Sequence, residues 1–114
     1  LIELSAEVGI LFPEDTFTPR PMKAKTRDLS MTGGYFEVYD FPPELFAKLG
    51  QSVRSAKIEF PEVPELGGVN LYGKIVWLNY QKSKMVCALG VSYDHAPDKY
   101  HKFLEKQQAT SSWS

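Results

Sequence analysis

Apolar residues recur at every second position along most of this chain. Leu4, Ala6, Val8, Ile10 and Phe12 fall on one side of a single run, the pattern of a strand with one buried face. Pro13 to Pro21 follows as a turn-rich connection punctuated by Pro13, Asp15 and Pro19. In "MKAKTR", Met22, Ala24 and Thr26 take one face and Lys23, Lys25 and Arg27 the other. Beyond Gly33-Gly34 the segment "YFEVYDF" is rich in the aromatic and β-branched residues that suit a pleated sheet. "FPPELFAKLGQ" predicts one irregular or helical turn, begun by prolines and stopped at Gly50.

The second half is patterned in the same way. "SVRSAKIEF" alternates, and "GVNLYGKIVWLNY" is the longest strand candidate. Val69, Leu71, Ile75 and Trp77 share a parity there that predicts a core position for Trp77, and Gly73 marks a bulge or a close approach. "KMVCALGVSYD" pairs back on it through a polar turn at Gln81 to Ser83, with Met85, Cys87, Leu89, Val91 and Tyr93 directed inward. Only from Pro97 does the period change: Tyr100, Phe103 and Leu104 recur at helical spacing. The expected domain is 1–108, followed by a disordered or artificial tail, 109–114. About six strands at hairpin spacing plus a terminal helix predict a mainly β fold, a small antiparallel barrel or sandwich whose helix covers an open end or face.

Composition narrows the function classes. At 114 residues with a formal net charge of −1, the chain has no global field to steer nucleic acid, so any anion site must be local. That argues against the alternative of a single-strand-binding barrel, in which phosphate neutralisation supplies most of the affinity. No apolar run is long enough to span a bilayer, and nothing resembles a signal peptide. With Cys87 as the single cysteine there is no intrachain disulfide, which fits a reducing, cytoplasmic location. The chain starts at Leu1 rather than Met, as a piece of a longer protein would.

Catalytic constellations are sparse. His95 and His101 lie too far from Cys87 to give a metal-ligand spacing. Ser92, Asp94 and His95 crowd one strand end, but neighbouring strand residues point to opposite faces and do not build a relay. Glu62 and Glu65 flank Pro64 in a solvated loop, and no phosphate-cradling Gly-x-x-x-x-Gly-Lys sequence is present. The expectation is a non-enzyme without a cofactor.

The chemistry concentrates in "TRDLSMTGGYFEVYD", Thr26 to Asp40. A carboxylate at Asp28 can accept two hydrogen bonds from adjacent donors such as the N–H edge of a guanine. The Ser30 hydroxyl can donate or accept, and glycine at 33 and 34 permits positive φ and removes a Cβ that would hold a flat ligand off. The competing account is a turn whose Asp and Ser bond only their own backbone.

"DLSMTGG" resembles the signature of PilZ domains, an Asp or Asn, then x-Ser-x-x-Gly. The family's later landmarks follow in order: "KLGQSV" at Lys48 to Val53, "GKIVW" at Gly73 to Trp77, "LGVSY" at Leu89 to Tyr93, and the helix from about Pro97. The resemblance covers nearly the whole chain. It implies a six-stranded antiparallel PilZ-type β-barrel with a C-terminal α-helix. It also implies a bacterial regulatory domain that binds cyclic di-GMP and signals to a partner or fused domain in motility, pili, polysaccharide or biofilm control. Asp28 and Ser30 would contact guanine and neighbouring groups, Gly33 would shape the turn, and Trp77 would stand beside a guanine. Gly34 and Arg27 flank this set as further candidate ligand-binding positions, Arg27 closing a positive stripe with Lys23 and Lys25 that is otherwise a solvated strand face. Nucleotide-binding members also carry Arg-x-x-x-Arg just before the first strand, to clamp phosphate and guanine. That motif is absent from this chain, which leaves a nucleotide-independent interaction module, with contacts among Tyr35, Phe36, Tyr39, Phe41 and Phe46, as the alternative.

Overall fold

A computed structural model describes residues 3–11, 21–49 and 55–111, the last four as helix backbone. Its elements run β1 (Ser5–Leu11), β2 (Met22–Leu29), β3 (Gly33–Val38), α1 (Pro43–Leu49), β4 (Ser55–Glu59), a 3-10 turn (Pro64–Leu66), β5 (Asn70–Gln81), β6 (Val86–His95) and α2 (Asp98–Ser111). The strands form a closed barrel in the order β1-β2-β3-β6-β5-β4, and every pairing is antiparallel. Closure matters because it leaves no unpaired strand edge. The period-two alternation is realised as expected: Ala6, Val8 and Ile10 of β1, and Ala24 and Thr26 of β2, are buried. Phe12, the connection 13–20 and the 50–54 part of "KLGQSV" lie outside the described residues.

Alpha2 buries Tyr100, Phe103 and Leu104 in the same core as Phe36, Ile58, Leu71 and Leu89, so the helix closes the barrel with its apolar stripe. Its first turn is anchored by the Pro97 carbonyl, which accepts from the Tyr100 N–H at 3.0 Å and the His101 N–H at 3.2 Å. Lys99 Nζ adds a bond to the Gly67 carbonyl at 2.7 Å. The helix extends to Ser111, into the segment expected to be tail, and 112–114 lie outside the described residues. Within the aromatic stretch, Phe36 and Phe41 are buried, while Tyr39 and Phe46 are half-buried and Tyr35 is exposed.

Two inward assignments are corrected. Met85 belongs to the hairpin turn, not to β6; its φ of 53° is left-handed and its side chain is exposed. The turn occupies Lys82 to Met85, starting one residue and ending two residues later than the sequence suggested. Trp77, whose parity placed it inside, is 43% exposed on the outer face. The cause is a β-bulge. Ile75 pairs with Val91 and Trp77 with Gly90, so Val76 is the extra residue, and the face each later side chain takes is inverted.

Candidate functional site

A second bulge sits on the other side of the barrel face. Thr26 pairs with Phe36 and Asp28 with Tyr35, leaving Arg27 as the extra residue of β2. Without it, Asp28 would share the inward parity of Ala24 and Thr26. With it, Arg27 and Asp28 are both exposed and Leu29 turns into the core. Tyr35 pairs with Gly90, and Gly90 with Trp77. Asp28, Tyr35, Gly90 and Trp77 therefore form one transverse row across β2, β3, β6 and β5. The two bulges are what point its two ends outward, a use to which bulges are often put.

Gly90 is the floor of this row. A Cβ there would overlap the indole of Trp77, so the ring lies directly on the β6 backbone and reaches across it to Tyr35. The two rings meet edge to face, with centroids 5.0 Å apart, a favoured arrangement of ring quadrupoles. Together Asp28, Leu29, Ser30, Gly33, Gly34, Tyr35 and Trp77 line a shallow cleft of about 280 Å³. Asp28, Ser30, Gly33, Gly34 and Trp77, singled out in sequence, thus meet in space. Arg27 does not line the cleft; its guanidinium pairs with Glu37 at 3.4 Å.

The loop between β2 and β3 is held by its own bonds. Ser30 Oγ donates to the Gly33 carbonyl at 3.2 Å and accepts from the N–H groups of Gly33 at 3.2 Å and Thr32 at 3.4 Å. That uses the one hydrogen and both lone pairs of a hydroxyl, so Ser30 is a turn-former in this state. Asp28 Oδ1 accepts from the Leu29 N–H at 3.0 Å, and its other oxygen has no partner among the described residues. Neither loop glycine has positive φ. Each is required by close approach instead: a Cβ on Gly33 would overlap the Val91 carbonyl oxygen, and one on Gly34 would lie 2.8 Å from both Phe36 and Tyr93 Oη.

No family model matches the chain, and no curated protein or solved structure does. The site therefore rests on its own geometry.

Two residues that the sequence did not single out for the site secure it. Tyr100 of α2 is fully buried and donates its hydroxyl hydrogen to the Ser30 carbonyl at 2.8 Å. Its oxygen also lies 3.1 Å from Tyr93 Oη, and the two rings meet edge to face at 5.4 Å. Burial pushes both phenols up, Tyr100 to about 12, so both stay protonated and available as donors. Helical spacing marked Tyr100 as core; nothing local pairs it with a loop so far back in the chain. A wider groove of about 370 Å³, lined by Ser5, Glu7, Lys23, Lys25, Tyr39 and Glu62 among others, contains none of the loop residues. Among the described residues no cluster of three or more metal-ligating side chains is present, and no helix is long and apolar enough to cross a membrane.

Proposed function

We propose that this chain is a PilZ-type regulatory domain that binds cyclic di-GMP over the row from Asp28 to Trp77. It would pass the signal to a partner protein or an attached domain controlling motility, pili or surface polysaccharide. The observation that carries this is the row itself: an outward carboxylate beside two exposed aromatic rings, one of them lying over Gly90. A guanine fits that chemistry, its adjacent N–H groups donating to Asp28 and its face covering the indole of Trp77. A non-catalytic, cytoplasmic role accompanies this reading.

The phosphates need cations, and none of the described residues lining the cleft is basic. Cations ahead of β1 would supply them. Leu4 is bonded to Thr26 in both directions, its N–H to Oγ1 at 2.8 Å and its carbonyl from the Thr26 N–H at 2.9 Å. Arginines carried just upstream would arrive beside Asp28, where their planar fork suits phosphate and guanine. Folding of that segment over the nucleotide would be the switching event.

A second reading, a PilZ-fold interaction module that binds no nucleotide, is favoured by the Ser30 hydroxyl being saturated within its own turn. Calorimetry with cyclic di-GMP, on the domain fused behind an Arg-x-x-x-Arg segment, separates the two. Saturable heat that disappears in Asp28→Ala supports the sensor. Absence of heat, with no NMR shifts from Asp28 to Gly34 at high micromolar nucleotide, leaves the interaction module.

A further inference from the structure

We propose that the same cleft seats the guanidinium of an arginine presented by a partner protein, an occupant that does not depend on nucleotide binding. Charge complementarity is the first argument. Among the described residues lining the cleft, the only formal charge is the Asp28 carboxylate, which is exposed and has one oxygen free of partners among the described residues. The neighbouring cation, Arg27, is drawn away to Glu37. A carboxylate left uncompensated beside aromatic rings selects a cation.

Shape argues for arginine over lysine. Trp77 presents a flat ring because Gly90 lets it lie on the backbone, and Tyr35 packs against it with the two ring planes nearly perpendicular. A guanidinium is planar, carries paired N–H donors along its edge, and stacks on an indole while its edge meets a carboxylate. An ammonium is a hydrated point charge that satisfies the carboxylate but gains little from a flat wall. The donor edge of guanine has the same form as that of guanidinium, a planar pair of N–H groups. An arginine-bearing partner and a guanine nucleotide would therefore compete for one seat, which makes docking and nucleotide occupancy mutually exclusive.

The test uses the isotope-labelled chain, titrated with N-acetyl-arginine methylamide and, separately, with the lysine analogue, followed by NMR. The expected result is saturable movement of the Trp77 indole N–H and the Asp28 to Gly34 amides with arginine, several-fold weaker with lysine. Asp28→Asn should abolish it, Trp77→Leu should erase the preference for arginine, and added salt should weaken it. No movement at Trp77, an equal response to both amino acids, or a response that survives Asp28→Asn overturns the proposal. Should either variant disturb signals across the barrel, the salt dependence of the unaltered chain decides: a salt-independent response overturns it. Cyclic di-GMP is titrated in parallel. Arginine binding leaves this inference standing whether or not the nucleotide binds, and nucleotide binding without arginine binding removes this one alone.

Discussion

The hydroxyl of Tyr100 donates to the carbonyl of Ser30 at 2.8 Å across 70 residues of chain. The terminal helix thereby holds the loop that carries the candidate site, and Tyr93 braces the same phenol from β6. Any movement of the loop must break or carry this bond.

Tyr100→Phe should lower stability by about 1 kcal/mol, the net worth of a hydrogen bond in folding. The larger effect should be local. Amide exchange from Asp28 to Gly34 is expected to accelerate more than exchange in β5, as loss of a loop tether permits sub-global opening. Equal acceleration everywhere would show that the bond contributes only to global stability.

The two loop glycines should differ under substitution. Gly33→Ala forces a Cβ onto the Val91 backbone oxygen, which cannot move without breaking the β3–β6 ladder. Gly34→Ala meets the Phe36, Leu29 and Tyr93 side chains at 2.8–2.9 Å, and these can give a little. Urea denaturation should show Gly33→Ala costing about 2–3 kcal/mol and Gly34→Ala less, in the range of overpacked sites.

Gly90→Ala should expel the Trp77 indole from its place on β6. Loss of the edge-to-face contact with Tyr35 is worth about 1 kcal/mol. The Trp77 indole N–H resonance should shift toward its random-coil position. An unmoved resonance would mean that the ring does not lie over Gly90.

Alkaline pH should unfold the chain earlier than its surface charges require. Burial raises the Cys87 thiol from 9.0 to about 11. Burial likewise raises Tyr100 from 10.0 to about 12, against the lowering effect of its bond with Tyr93, and it pushes Tyr93 up as well. All three hold their protons more tightly when folded, so the unfolded chain releases them first as pH rises. The stability they lend is complete below about pH 9 and falls as pH climbs toward the folded values. Denaturation midpoints should drop between about pH 9 and 12, and the absorbance of ionised tyrosine should rise in step with unfolding.

Asp28→Ala should leave stability within about 0.5 kcal/mol, as expected of an exposed surface position. Its effect on a bound guanine should be about tenfold or more, because a hydrogen bond to a charged group is lost. Calorimetry and thermal melts on the same preparation check both.

Much of the barrel is legible along the chain because alternation is a local consequence of the pleat. Val8, Ala24, Ile58, Leu71, Cys87 and Leu89 are buried as their parity required, and Tyr100, Phe103 and Leu104 as their helical spacing required. The membership of Asp28, Ser30, Gly33, Gly34 and Trp77 in one cleft was suggested by resemblance to PilZ sequences, and no alternation rule would have found it. Trp77 and Met85 show where the parity argument fails, since a bulge or a tight turn resets it without leaving a mark in composition.

Taken by itself, the sequence determined the strands, most inward faces and the covering helix, because each depends on residues close together in the chain. Tertiary structure alone decided which way Asp28 and Trp77 point, because each bulge exists only relative to a partner strand. It also decided that Gly90 would lie beneath the indole and that Tyr100 would reach Ser30, contacts that distant segments make only once the barrel closes.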